Sequence, residues 1–184
     1  MTTYKGPEWA IGLQRHLENL QANNEAMAEL RRGRGKNPDD CVEMHRWVSQ
    51  FVSERQLGTG REWAVYTVAS EFALHKDLHS CDESLGWSLA KAAGHGSLSE
   101  VGLERRLLQL IRSRNNEELC RRLPRVLSLV ASEGVPISWP RLAGDVDRWD
   151  NDKGVIAKRW LRDFFNRSNN PQEPDAAAII QGAI

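Results

Sequence analysis

Apolar residues recur at three- and four-residue intervals along nearly the whole chain, and alternating runs rich in Val, Ile and Thr are missing. That period puts apolar side chains on one face of a helix, so the pattern predicts helices and no strands. Pro7 opens a first helix carrying Trp9, Leu13, Leu17 and Leu20, and a second runs from Glu25 to Arg32 before Gly33, Gly35 and Pro38 break it. Asn37 followed by Pro38 reads as an N-cap with proline at the first helical position. The third helix is then expected to run toward Leu57, with Met44, Trp47, Val48 and Phe51 on one side and Gly58 and Gly60 closing it.

A fourth helix, Glu62 to about His75, is apolar enough at Trp63, Ala64, Val65, Val68, Ala69, Phe72 and Ala73 to be expected as the most buried. After a polar loop at 76–83, Ser84 can cap a short helix with Leu85, Trp87 and Leu89, and Gly94 with Gly96 reads as a hinge. Helices follow near Leu98–Ser113 and Glu117–Ser132, the latter expected to bend at Pro124, which lacks the amide a helix interior needs. Ser138 and Pro140 start another helix through Trp149, and Asp152 caps a last one with Val155, Trp160, Phe164 and Phe165. The fold class is all-α: a helical bundle, divisible at the hinge into packed subdomains at 1–95 and 96–167, with a flexible tail at 168–184. No repeat of fixed period points to a solenoid.

Composition narrows the class. The 184 residues, 40% apolar and 27% charged, suit an ordinary globular domain. No apolar run approaches the roughly 18 to 20 residues that cross a bilayer, and MTTYKGPEWA lacks a signal-peptide core, so a cytoplasmic protein without a membrane partner is expected. Cys41, Cys81 and Cys120 are widely spaced and odd in number, which argues against a disulfide framework or a thiolate zinc site. Seven tryptophans at helical spacing read as core rather than as base-stacking platforms.

Lys and Arg total 25 against 25 Asp and Glu, which rules out a uniformly basic coat but not local strips. Between Met27 and Lys36, Arg31, Arg32, Arg34 and Lys36 face Glu29 alone; between Val101 and Arg125, Arg105, Arg106, Arg112, Arg114, Arg121, Arg122 and Arg125 face Glu104, Glu117 and Glu118. Arginine suits bidentate phosphate contact. At about 100° per residue, Leu103, Leu107, Leu110 and Ile111 form one stripe, Arg105 and Arg112 point away from it about 10 Å apart along the axis, and Arg106 falls toward the flank. A solvated helix face shows the same charge pattern, so the strips alone leave both readings open.

Other chemistry is thinner. His75, His79 and Cys81, with Asp77, Asp82 and Glu83, offer metal ligands but lack the glutamate base of HExxH. Cys41 and His45 read as a core thiol beside a boundary imidazole. Walker, GxSxG and GxGxxG motifs are missing, and RGRG follows a helix instead of joining strand to helix. No catalytic residue, metal site or cofactor is expected.

AELRRG at 28–33, ASEFALH at 69–75, SLGWSLA at 84–90, ERRLLQLIR at 104–112, ISWPRLAGDVDRW at 137–149 and KRWLRDFF at 158–165 together resemble, in order and spacing, the CasB family. This family is the small subunit of the type I-E CRISPR Cascade complex. The resemblance implies a helical, non-catalytic subunit, two copies per complex, lying along a guide-RNA-bound filament with other Cascade subunits. It implies contacts to guide RNA, target DNA and the displaced strand once the R-loop opens, with cleavage left to a separately recruited helicase-nuclease. Carried over by motif, the nucleic-acid-binding candidates are Arg31, Arg32, Arg105, Arg106 and Arg112, then Arg121, Arg122 and Arg125 in a second Arg-rich helix, with Arg34 and Lys36 as loop contributors. Trp139, Leu142, Trp149 and Trp160 fall to packing. Two alternatives compete: a helical adaptor whose arginines pair acidic partner surfaces, and a small metalloenzyme using the 75–83 segment.

Overall fold

A computed structural model of the chain describes residues 6–76, 78, 81–95 and 97–168, with side chains through 166. Among the described residues there are nine α-helices and no strand: α1 (Glu8–Leu20), α2 (Asn24–Arg32), α3 (Val42–Val48), α4 (Gly60–Leu74), α5 (Leu85–Gly94), α6 (Glu100–Ile111), α7 (Asn116–Ser132), α8 (Trp139–Asp147) and α9 (Trp149–Ser168). The expected tail lies, from residue 169 onward, outside the described residues, as do Gly96 of the hinge and Asp77 and His79 of the polar loop. None of these helices is long and apolar enough to cross a membrane.

The helix starts follow their caps. Asn23, Ser84 and Asn115 accept the amides of Ala26, Trp87 and Glu118 at 3.0, 3.3 and 2.9 Å, each satisfying an orphan donor of the first turn. Asp152 (φ −117°, ψ 16°) interrupts α9 where a cap is expected. The third helix is corrected. Asn37 does cap Pro38, but only a 3₁₀ turn follows, because Cys41 leaves helical geometry (φ −111°, ψ 47°) with its thiol donating to the Asn37 carbonyl at 3.2 Å. Beyond α3 the chain continues as 3₁₀ turns at Ser49–Phe51 and Glu54–Gln56, separated by extended Val52. Met44 and Val48 still reach the core, with Trp47 and Phe51 packed against it.

α4 is buried from Ala64 through Ala73, Thr67, Ser70 and Glu71 included, and packs against α1, α2, α7 and α8. Around it lies one continuous apolar cluster, running from Leu13 and Met27 through Leu89 and Leu103 to Trp160 and Phe164. α5 lies along α9 and α4 along α8, so helices from both sides of residue 95 share this core. Trp139, Trp149 and Trp160 are fully buried, as their spacing predicts.

Ser84 links two of these elements: besides capping α5, its hydroxyl donates to Asp163 of α9 at 2.7 Å. Ser84→Ala is expected to lower stability by about 1–2 kcal/mol through the lost cap and bond, read as a shift in thermal midpoint. An unchanged midpoint would show that α5 needs no side-chain cap.

Candidate nucleic-acid interface

Consecutive helices α6 and α7 bury Leu103, Leu107 and Leu110 on one and Leu119, Leu123, Val126 and Leu127 on the other. Burying those faces turns the arginines outward. Between the two helices runs a groove of about 640 Å³ lined by Arg105, Arg106, Arg121, Arg122 and Arg125, with Gln109 beside them, Leu110 and Val126 against the core, and no carboxylate in its wall among the described residues. Five guanidiniums surround this concavity, two of them paired with Glu117 and Glu118 just outside it, so Arg105, Arg106 and Arg125 carry its uncompensated positive charge.

The arginines differ in how far their neighbours hold them. The side chains of Arg105, Arg112 and Arg125 make no ion pair or hydrogen bond among the described residues. Arg106 donates to the Gly102 carbonyl at 3.0 Å. Arg121 pairs with Glu117 at 2.6 Å on the open surface, an i,i+4 arrangement that contributes about 0.3–0.5 kcal/mol and yields readily to phosphate. Arg122 is the most engaged: it donates to the Gln109 carbonyl at 2.6 Å, to Ser113 Oγ at 3.3 Å and to Glu118, tying α7 to α6. The Arg114 amide, with the Arg122 and Arg114 charges, holds the Glu118 carboxyl below its ordinary range.

Arg112 stands outside this groove. It shares an adjoining one of about 440 Å³ with Arg105, Val101, Glu104, Leu108 and Gln109, consistent with the shared exposed face that helical geometry predicts for Arg105 and Arg112. Gln109 escaped the sequence reading, although its i+4 offset from Arg105 places it on the same face.

The first strip divides. Arg31 Nε donates to the Ala73 carbonyl at 2.9 Å, satisfying an end group of α4, while Arg32 and Lys36 are exposed. Arg34 turns inward: Nε meets Glu71 Oε1 at 2.7 Å, and Nη2 donates to the Pro124 carbonyl at 2.6 Å and to Ser128 Oγ at 2.5 Å. Gly35 (φ +70°) brings the turn against the Pro124 ring, so the two strips meet at the proline of α7. The acids that balance these charges include Glu25 and Glu29, both paired with Arg46 at 2.7 Å, and exposed Asp39, Asp40 and Glu43.

The Cys41–His45 constellation is structural. Cys41 is buried, burial pushes its thiol up, and His45 Nδ1 lies 2.7 Å from the Tyr66 hydroxyl. Among the described residues no three His, Cys, Asp or Glu side chains gather to hold a metal ion. The ordered motifs interlock in the core. Arg31 of AELRRG donates to the Ala73 carbonyl of ASEFALH, Ser84 of SLGWSLA meets Asp163 of KRWLRDFF, and Asp145 of AGDVDRW accepts Arg159 and, at 2.8 Å, Trp160 Nε1.

The chain is therefore an all-α protein whose distinguishing surface is an arginine-lined groove. It belongs to the CRISPR-associated protein Cse2 family, whose profile matches residues 26–165, in agreement with the CasB resemblance of the ordered motifs. Members of this type I-E family are small subunits of a CRISPR surveillance complex. A chain of a CRISPR RNA-guided surveillance complex is 29% identical, with a TM-score of 0.78 over 89% of this chain and 95% of that one. A Cse2-family protein from Thermus thermophilus is 25% identical (TM-score 0.71, 85% and 97% covered). CasB of M. ruber, at 19% identity, shares the fold (TM-score 0.70, 90% and 97% covered). No curated protein matches the chain.

Proposed function

We propose that this chain is the non-catalytic, cytoplasmic small subunit of a type I-E Cascade complex, and that the α6–α7 groove binds nucleic-acid backbone. In this reading it contacts guide RNA and target DNA and holds the displaced strand, stabilising the R-loop in antiviral defence beside the other Cascade subunits and a second copy of itself. The observation that carries the reading is the groove wall of five arginines without a lining acid. Arg105, Arg106, Arg112, Arg121 and Arg125 are the proposed phosphate contacts, with Arg32 and Lys36 of the adjoining strip. Such contacts fix position without reading sequence, which suits a subunit serving any guide. R-loop formation is a near-balanced exchange of duplexes, so modest backbone contacts can tip it.

The test is salt-dependent binding of a labelled single strand by the Arg105→Ala, Arg125→Ala double variant. Binding is expected to weaken at every sequence, and the slope of log K against log salt to fall by about 0.7 for each lost contact. An unchanged slope in the folded variant would overturn phosphate contact, and would favour arginines that pair with an acidic protein surface.

A further inference from the structure

Arg34 belongs to the same basic run as Arg32 and Lys36, yet its guanidinium is held by three acceptors on two other helices: Glu71 of α4, and the Pro124 carbonyl and Ser128 hydroxyl of α7. Glu71 is completely buried, with Arg34 Nε 2.7 Å from one carboxylate oxygen and His75 Nε2 3.6 Å from the other, so Arg34 is the permanent cation beside its charge. Pro124 sits inside α7 and has no amide to give, leaving the ladder one rung short in the turn that carries Arg121, Arg122 and Arg125. A side chain anchored on α4 meets that turn from outside, at the proline's own carbonyl. Gly35 takes the left-handed conformation (φ +70°) in the turn that carries Arg34 to α7, and a Cβ there would make only ordinary contact with Pro124 Cγ at 3.9 Å.

We infer that Arg34 is a positioning residue and not a phosphate contact: it clamps the weakened turn of α7 to α4 and so fixes the arginine wall of the groove. Its effect on binding rests on the nucleic-acid reading above; the clamp itself does not. A planar fork is suited to this, because a lysine ammonium cannot reach three fixed acceptors with the same geometry.

Removing Arg34 alone strands the buried Glu71 charge, so the test uses the full-length Arg34→Met, Glu71→Gln variant, which removes clamp and charge together. Two readouts are compared with wild type and with Arg125→Ala: amide hydrogen exchange over α7, and salt-dependent binding of fluorescent oligothymidylate. In the double variant, exchange around Pro124 is expected to accelerate about tenfold or more. Affinity is expected to fall about three- to tenfold as the wall loosens, with the salt slope unchanged. A slope lower by about 0.7 would mean that Arg34 itself meets phosphate and would overturn the proposal. Wild-type exchange in the folded variant would overturn it as well. If exchange accelerates while wild-type protein shows no salt-dependent binding, the clamp stands and the nucleic-acid function of the groove falls.

Discussion

Trp160→Ala is expected to remove about 3–5 kcal/mol of stability, the cost of deleting a fully buried indole. Trp160 is inaccessible to solvent, packs 5.4 Å from Trp149 between ring centroids, and donates to Asp145. Burial raises the Asp145 carboxyl, and Arg159 and Trp160 oppose that shift, so losing the indole also removes a donor from a carboxylate with no access to water. That adds about 1–3 kcal/mol. At about 2–4 °C per kcal/mol, the thermal midpoint should fall by about 10 °C or more, and the sum approaches the whole net stability of an ordinary domain. Trp160→Phe keeps part of the volume and loses the hydrogen bond, so it should fall between. A normal midpoint with impaired binding in the alanine variant would instead assign Trp160 to the surface.

Gly86→Ala should be similarly severe although it adds a single methyl group. The added Cβ would overlap the carbonyl oxygen of Trp160 and lie 2.7 Å from its carbonyl carbon. Both are backbone atoms, so relief requires α5 and α9 to move apart, and they form one of the broadest helix contacts of the fold. A loss above about 3 kcal/mol is expected, at the upper end for overpacking. Gly94→Ala is the control: it changes the same residue type in the same helix, with nothing within 4 Å of the new methyl. It should be neutral or stabilising by up to about 1 kcal/mol, because alanine is the better helix former. Equal midpoints for the two variants would show that α5 and α9 do not approach this closely in solution.

The legible parts of the fold were those that local physics decides. Ser84 announces α5 through its hydroxyl, α4 announces its burial through the density of apolar residues from Trp63 to Ala73, and Arg105 and Arg112 announce their direction through the leucine stripe opposite. The third helix failed for the complementary reason: Asn37 and Pro38 are a sound start, but the turn ends at Cys41, whose thiol bonds back to the Asn37 carbonyl. In the groove, the arginine content of α6 and α7 was visible, whereas their facing arrangement is tertiary. Arg34 is the sharpest case. By sequence it is one more basic residue, in the loop after Arg32, and its partners Glu71, Pro124 and Ser128 lie 37, 90 and 94 residues away. The spacing of Arg34 in the chain holds no trace of that convergence.

The arginine-lined groove sits on a chain with no net charge. Such a molecule has no monopole to draw it toward a polyanion; it has only a dipole, which exerts torque and little pull. With a screening length of about 8 Å at physiological ionic strength, even that torque fades within a few water layers. On the proposed reading, the free subunit therefore binds bulk cellular RNA and DNA only weakly and salt-dependently, and the groove gains most of its strength where neighbouring subunits hold a strand within reach, through effective concentration. Neutrality then acts as a filter on where the arginines work.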